Sequence, residues 1–136
     1  MLAHDQWRAA ELQQAASGAH RVARPVRLAG GLIGSWAAEP VVVARVALTP
    51  TFFFADGQLQ RVEYLAREGG AASFDALLAW ARGLWGAELA ANAPEGAYAS
   101  WSAGTVDAYL QLIRPQQGGQ VRLVVKQRVL KDAGEL

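Results

Sequence analysis

The chain has no cysteine, one methionine and only two histidines among its 136 residues. Without cysteine it can form no disulfide, no thiolate nucleophile and no cysteine-ligated zinc or iron–sulfur site. The histidines, His4 and His20, are too far apart in the sequence to share one helical face as metal ligands. We therefore predict no bound metal and no cofactor, and we interpret both histidines as solvated surface residues.

Charge and long apolar runs are also scarce. Charged residues supply 18% of the chain and the formal net charge is +1, which argues against a nucleic-acid-binding protein with a concentrated basic surface. No apolar run approaches the roughly 20 residues that a membrane span needs. The N-terminus has neither the charged nor the apolar region of a signal peptide. This leaves two expectations: a cytosolic protein, or an exported protein given without its leader.

Motifs of catalysis are missing as well. No serine lies in a Gly-x-Ser-x-Gly elbow. The run from Gly30 to Ser35 is rich in glycine, but it lacks the lysine and the spacing of a phosphate-binding loop, so we interpret it as a bent strand. Glu63, Glu68 and Asp107 would act as paired acids only if the fold brought them together, and we interpret them as solvated. We predict no catalytic residue, and an enzyme is the third candidate class.

Apolar residues, by contrast, make up 52% of the chain, and they alternate clearly near its end. Val121, Leu123 and Val125 lie on one face of the run and Arg122 and Lys126 on the other, and the run from Thr105 to Leu112 alternates in the same way. The segment 114–119 between the two runs contains the proline and glycines of a turn. A period of two predicts an antiparallel hairpin with one buried and one solvated face.

Two segments have the features of helices. Between Ser73 and Gly86, apolar residues recur every three or four positions, which predicts a long helix with Ser73 as its cap and Gly86 at its end. We expect Leu77 and its apolar neighbours to pack on the buried face of the last hairpin, on side chains such as Leu110 and Leu123. Residues 5–17 predict a second, peripheral helix with a thinner apolar stripe.

Strand patterns occupy most of the remaining chain. Strand-like pieces lie between residues 21 and 65, and Val41 to Leu48 predicts one continuous strand. Thr49-Pro50-Thr51 predicts a break, because proline lacks the donor that a central strand requires. Asp56-Gly57 predicts a tight hairpin turn, and Tyr98 to Ser102 a short strand.

This order of elements predicts the fold class. Strands segregated around one packing helix are typical of an α+β fold with an antiparallel sheet. We predict one such domain over residues 1–136, with about five to seven strands packed on the helix 73–86 and with the helix 5–17 at the periphery.

The second half of the chain also resembles a known class of domain. The residues that carry the resemblance are Asp56-Gly57-x-Leu59-x-x-Val62, a helix with Leu77-Leu78 that ends in Leu84-Trp85-Gly86, and then Trp101. In this pattern, residues 56–130 resemble small bacterial cell-envelope α+β domains of unknown function. The resemblance implies a periplasmic or envelope location and an accessory, binding role, and it supplies no catalytic residue.

The solvated face of the last hairpin carries the candidate binding residues. Arg122, Lys126 and Arg128 alternate along one strand, and Tyr109 lies on the same face of the preceding strand. An aromatic ring beside cations suits an anionic or planar partner, although such a face can also simply be solvated. Trp101 is a further candidate, with a core position as its alternative.

These observations predict a non-catalytic binding or accessory protein that engages a protein partner. The alternative is a carrier, with a small apolar or anionic ligand held between the sheet and the helix Ser73–Gly86. A deep apolar cavity with convergent polar groups would favour the carrier, and a surface patch would favour the interaction protein.

Overall fold

The computed structural model describes residues 20–28, 31–55, 58–91, 97–113 and 119–127, and the structural statements that follow concern these residues. They form one helix, α1, at Gly70–Trp85. They also form nine strands: β1 His20–Arg27, β2 Ile33–Ala37, β3 Val41–Val43, β4 Val46–Ala55, β5 Gln58–Ala66, β6 Ala90–Ala91, β7 Tyr98–Ala103, β8 Val106–Ile113 and β9 Gln120–Gln127. The predicted helix 5–17 lies outside the described residues, as do His4, the Asp56-Gly57 turn and Arg128.

All strands belong to one antiparallel sheet in the order β1-β2-β4-β5-β9-β8-β7-β6, and β3 pairs with β4 beside this path. The α+β class with an antiparallel sheet is therefore confirmed. The predicted number of strands was too low, partly because the apolar run from Val41 to Leu48 is two strands and not one. A two-residue turn at Ala44 and Arg45 reverses the chain within this run, and Val43 pairs with Val46 across it.

The break predicted at Pro50 is wrong, because β4 passes through this residue and pairs with β5 on both sides of it. The other side of β4 explains why proline is tolerated there. β3 pairs with β4 up to Leu48, and β2 pairs with it from Thr51 onward. Pro50 lies in the interval between these two partners, so its missing N–H leaves no gap in a described ladder.

The described part of the glycine-rich run, residues 31–35, leads into a bent strand, as predicted. β2 begins at Ile33, and its pairing register shifts between Gly34 and Trp36. A Cβ atom at Gly34 would lie only 2.6 Å from Cε2 of Phe53. Glycine at this position therefore lets the ring of Phe53 lie directly against the backbone of β2.

α1 packs on one face of the sheet and contacts β7, β8 and β9, with a smaller contact to β4. Phe74, Leu77 and Ala81 are its buried apolar side chains. They share one core cluster with Leu110 of β8 and Leu123 of β9. The predicted docking of this helix on the last hairpin is confirmed.

The predicted start of the helix was three residues too late. α1 begins at Gly70, and its N-cap is Gly69 in the left-handed conformation, with no side-chain cap. The hydroxyl of Ser73 instead donates to the carbonyl oxygen of Glu68 at 3.0 Å. The predicted end is confirmed, because the N–H of Gly86 donates to the carbonyl of Arg82 at 2.9 Å.

Two side-chain contacts hold the C-terminal end of α1. Trp101 of β7 donates its indole N–H to the carbonyl oxygen of Gly86 at 2.9 Å. Arg82 donates hydrogen bonds from Nε and Nη2 to Glu88, and this hydrogen bonding lowers the pKa of Glu88 to about 2. The helix end is thus tied to the segment that leads into β6 and to β7.

Within the described part of the chain, no helix has the length and hydrophobicity needed to cross a membrane.

Candidate binding site on the outer sheet face

The candidate site lies on the sheet face opposite α1, called here the outer face. Alternation along each strand defines this face, because neighbouring residues of a strand point to opposite sides of a sheet. Val121, Leu123 and Val125 belong to the core on the helix side. Arg122 and Lys126 therefore point outward, as the sequence predicts.

The strand register arranges the outer face as three rows that cross β7, β8, β9 and β5. Residues of one row are direct cross-strand neighbours, so their side chains lie side by side. The first row is Tyr98, Gln111, Arg122 and Leu65; the second is Ser100, Tyr109, Val124 and Glu63; the third is Ser102, Asp107, Lys126 and Arg61. The two aromatic rings thus lie on β7 and β8, and the three cations lie on the neighbouring strands β9 and β5.

A pocket of about 270 Å³ opens in the middle of this face. Its lining residues are Arg61, Tyr98, Tyr109, Gln111, Arg122 and Val124. Val124 is only 3% exposed although it is not part of the helix-side core, so it forms an apolar floor. The other five residues are half-buried and place polar groups around that floor.

The two arginines of the pocket differ in how well they are paired. Arg61 donates from Nε to Oε2 of Glu63 at 2.9 Å, and its Nη2 is 2.9 Å from the same oxygen. Arg122 donates from Nη2 to Oε1 of Gln111 at 3.0 Å, while its Nη1 is 4.0 Å from Oε1 of Glu63. Arg122 therefore keeps N–H donors that can bind a further acceptor, whereas Arg61 is already paired with the carboxylate of Glu63.

The two tyrosines of the pocket also offer polar groups. Among the described residues, the phenol hydroxyls of Tyr98 and Tyr109 have no hydrogen-bond partner. The ring of Tyr109 has a neighbour of its own, because Nζ of Lys126 lies 5.3 Å from its centroid, a cation–π distance. This contact supports the ring from the third row and leaves the hydroxyl group available.

The structure brings together some of the predicted site residues and separates others. Tyr109 and Arg122 line the pocket, and Lys126 lies beside it. Trp101, also predicted as a binding residue, is 2% exposed and belongs to the core cluster on the helix side of the sheet, so it does not line the outer face. Arg128 lies outside the described residues.

Three further residues of the pocket were not predicted from the sequence: Arg61, Tyr98 and Val124. Alternation in β5 does place Arg61 and Glu63 on one face, and it does the same for Tyr98 in β7. That signal was available, but it does not reveal which strands are neighbours. Only the pairing between β5 and β9 places Arg61 beside the last hairpin, and this pairing is a tertiary contact.

The three carboxylates that the sequence offers as acids have separate surroundings in the described structure. Glu63 is bound to Arg61, and Asp107 accepts a hydrogen bond from the hydroxyl of Ser102. Within the described ranges, no group of three or more potential metal ligands occurs. Glu68 lies apart, in the exposed loop before α1.

A larger hollow of about 470 Å³ lies beside the β3–β4 turn. Its charged residues, Arg45, Arg67 and Glu68, are all exposed. The charged and polar residues of the outer-face pocket are instead half-buried, where water screens them less. The smaller pocket is therefore the better candidate for specific recognition.

The space between the helix and the sheet, where a carrier would hold its ligand, is filled by side chains. Leu77, Leu110 and Leu123 are each 0% exposed and belong to one cluster. A ligand at the centre of that layer would have to displace these side chains, because protein interiors are close-packed.

Comparison with known proteins identifies no relative. No protein-family model matches the sequence, and no curated protein or solved structure matches the chain. The resemblance of residues 56–130 to envelope domains therefore stays a prediction, and the functional interpretation depends on the geometry of the site.

Proposed function

We propose that the protein is a non-catalytic binding protein that engages an acidic protein partner through its outer sheet face. One observation carries the proposal: half-buried Arg and Tyr side chains from four strands converge on a single pocket. Tyr and Arg are the residues most enriched at the energetic centres of protein interfaces.

The charge of this face favours an acidic partner. Arg61, Arg122 and Lys126 face two carboxylates, Glu63 and Asp107, so the described rows carry an excess of positive charge. The whole chain is nearly neutral, with a formal charge of +1. A local positive excess on such a protein steers an oppositely charged surface and raises its association rate.

We also propose a location at the cell envelope. The support is the resemblance of residues 56–130 to envelope domains. Fractionation of cells that express the native gene tests it, and recovery of the protein in the cytosolic fraction alone would reject it.

A double charge reversal tests the binding face. We expect Arg122→Glu with Lys126→Glu to weaken binding to the partner that cross-linking identifies and to reduce the salt dependence of the association rate. The melting temperature should change little, because ion pairs between partly exposed side chains contribute little to stability. The measurement is surface-plasmon resonance over a salt series, with thermal unfolding of each variant.

Arg24→Glu with Arg27→Glu is the matched control, because both residues are exposed on β1 and the change in net charge is the same. The control should bind like the wild type. Full affinity of the Arg122/Lys126 variant across the salt series would show that the face is merely solvated.

A further inference from the structure

Three donors without a complete set of partners converge on the outer-face pocket. The hydroxyls of Tyr98 and Tyr109 have no hydrogen-bond partner among the described residues, and both side chains are half-buried. Arg122 makes one hydrogen bond, to Gln111, and keeps most of its five N–H donors available. Half-buried donors of this kind are available to a bound acceptor, which can take the place of the water that otherwise solvates them.

We infer that this pocket is a carboxylate site that receives one glutamate or aspartate side chain of an acidic peptide segment. The inference rests on the proposed function and names the group that the partner inserts. Arg122 forms the ion pair with the entering carboxylate. Tyr98 and Tyr109 donate their hydroxyl hydrogens to its oxygens, and Val124 contacts the methylene groups of the side chain.

The geometry of the donors favours a carboxylate. A guanidinium group presents two parallel N–H donors, which match the two oxygens of a planar carboxylate. Glu63 already pairs with the neighbouring Arg61, whose Nε and Nη2 both lie 2.9 Å from one oxygen of that carboxylate. Its negative charge is 4.0 Å from Arg122 and opposes a doubly charged phosphate more strongly than a singly charged carboxylate.

The size of the pocket favours a side chain over a free ligand or cofactor. Its volume of about 270 Å³ lies at the small end of the range of about 300–1,000 Å³ that is typical of small-molecule sites. The pocket also opens on a sheet face, so a peptide segment can lie across the strands while one side chain enters.

Glu63 has a second role in this arrangement. It lies beside the entry route of the carboxylate and repels it, while it also neutralises Arg61. Loss of its charge should therefore release Arg61 as a second cation and remove the repulsion. Glu63→Gln keeps the shape and an acceptor for Arg61, so it separates the charge effect from a packing effect.

The test uses the full chain and two blocked hexapeptides, one with two glutamates and one with glutamines in their place. NMR titration follows the Nε–H of Arg122 and the methyl groups of Val124. Of the two hexapeptides, we expect only the one with glutamates to shift these signals. Glutarate, a free dicarboxylate, distinguishes a peptide side chain from a small acid and should bind more weakly.

Four variants give the expected pattern. Arg122→Gln should lower the affinity for the glutamate peptide roughly tenfold or more, the effect of a lost hydrogen bond to a charged group. Tyr98→Phe and Tyr109→Phe, which remove only the hydroxyl groups, should each lower it about threefold to tenfold. Glu63→Gln should raise the affinity about threefold or more. Arg24→Gln on β1 is the control and should have no effect.

The outcomes separate this inference from the proposed function. If Arg122→Glu with Lys126→Glu abolishes partner binding while the phenylalanine variants and Glu63→Gln bind the peptide like the wild type, the binding face stands and the carboxylate pocket is rejected. If the glutamate peptide binds in the pocket while the double charge reversal leaves the affinity for the partner unchanged, the carboxylate site is supported and the proposed function is rejected. Equal binding of the glutamine peptide, or tighter binding of glutarate, would overturn the inference directly.

Discussion

Ala44 and Arg45 hold the backbone in a conformation that their side chains disfavour. Their φ angles are 51° and 66°, the only positive values outside glycine in the described residues. The turn between β3 and β4 has two residues, and such hairpin turns fit the twist of the strands when both φ angles are positive. Asparagine and glycine adopt this conformation most readily, so the native pair stores strain.

We therefore expect Ala44→Asn with Arg45→Gly to raise the free energy of unfolding by roughly 1–2 kcal/mol, measured by urea titration. The β7–β8 turn provides a control in the opposite direction, in which a glycine is replaced. Gly104 has a φ of 58° in this two-residue turn. Gly104→Ala should destabilise the protein. A lower stability of the Asn-Gly variant would show that the native side chains make contacts that outweigh the backbone strain.

Trp101 lies in the strand that the sequence predicts, but it packs on the end of α1 and does not face the binding surface. Its position in a short strand was predicted, and β7 confirms it. Its hydrogen bond to Gly86 and its contact with the ring of Trp85, 5.6 Å between centroids, assign it to the end of α1. The sequence alone leaves both faces of that strand open to a tryptophan, because this side chain is common in cores and in binding surfaces.

At the scale of elements, α1 depends on burial of its apolar stripe. An isolated helix of this length is only marginally stable in water, so its packing on the sheet supplies most of its stability. Leu77 is 0% exposed at the centre of that contact.

We expect Leu77→Ala to lower the free energy of unfolding by roughly 2–5 kcal/mol, from lost burial and the cavity left behind. Leu84, which is on the same helix but 56% exposed, provides the control, and Leu84→Ala should cost less than about 0.5 kcal/mol. Denaturant titrations of both variants make the comparison. A negligible loss for Leu77→Ala would mean that the helix does not dock where the structure places it.

At the scale of the whole molecule, the core is built from apolar side chains contributed by strands across the sheet and by α1. Leu48, Val62, Leu110 and Val121 are each 0% exposed. A chain of this length can bury enough apolar surface to fold without a disulfide or a structural metal.

We expect a strong chelator such as EDTA to leave the melting temperature unchanged to within about 1 °C, a change far smaller than loss of a structural metal would cause. Differential scanning calorimetry with and without the chelator measures this. A fall of many degrees that added zinc or calcium reverses would show that folding needs a metal.

Much of the secondary structure follows from the sequence. The last hairpin alternates at every position but Val124, and the helix has its apolar residues at three- and four-residue spacing, so both were predicted with nearly correct bounds. The errors lie where local chemistry is ambiguous. Pro50 breaks most strands but not one whose neighbour changes at that residue, and Ala44-Arg45 contains no residue typical of a tight turn.

Half of the candidate site also follows from the sequence. Alternation alone places Tyr109, Arg122 and Lys126 on one solvated face, because successive side chains of a strand point to opposite sides. The faces of individual strands are therefore a local property, set by backbone geometry.

The remaining half was decided only by tertiary structure. β5 and β9 are far apart in the chain, yet their pairing places Arg61 beside Lys126 and Glu63 beside Val124. β7 then adds Tyr98 next to Gln111. Periodicity gives the face of each strand but not its neighbours, since strand order depends on how the whole sheet and α1 bury their apolar faces together. The pocket exists only once that long-range order is formed.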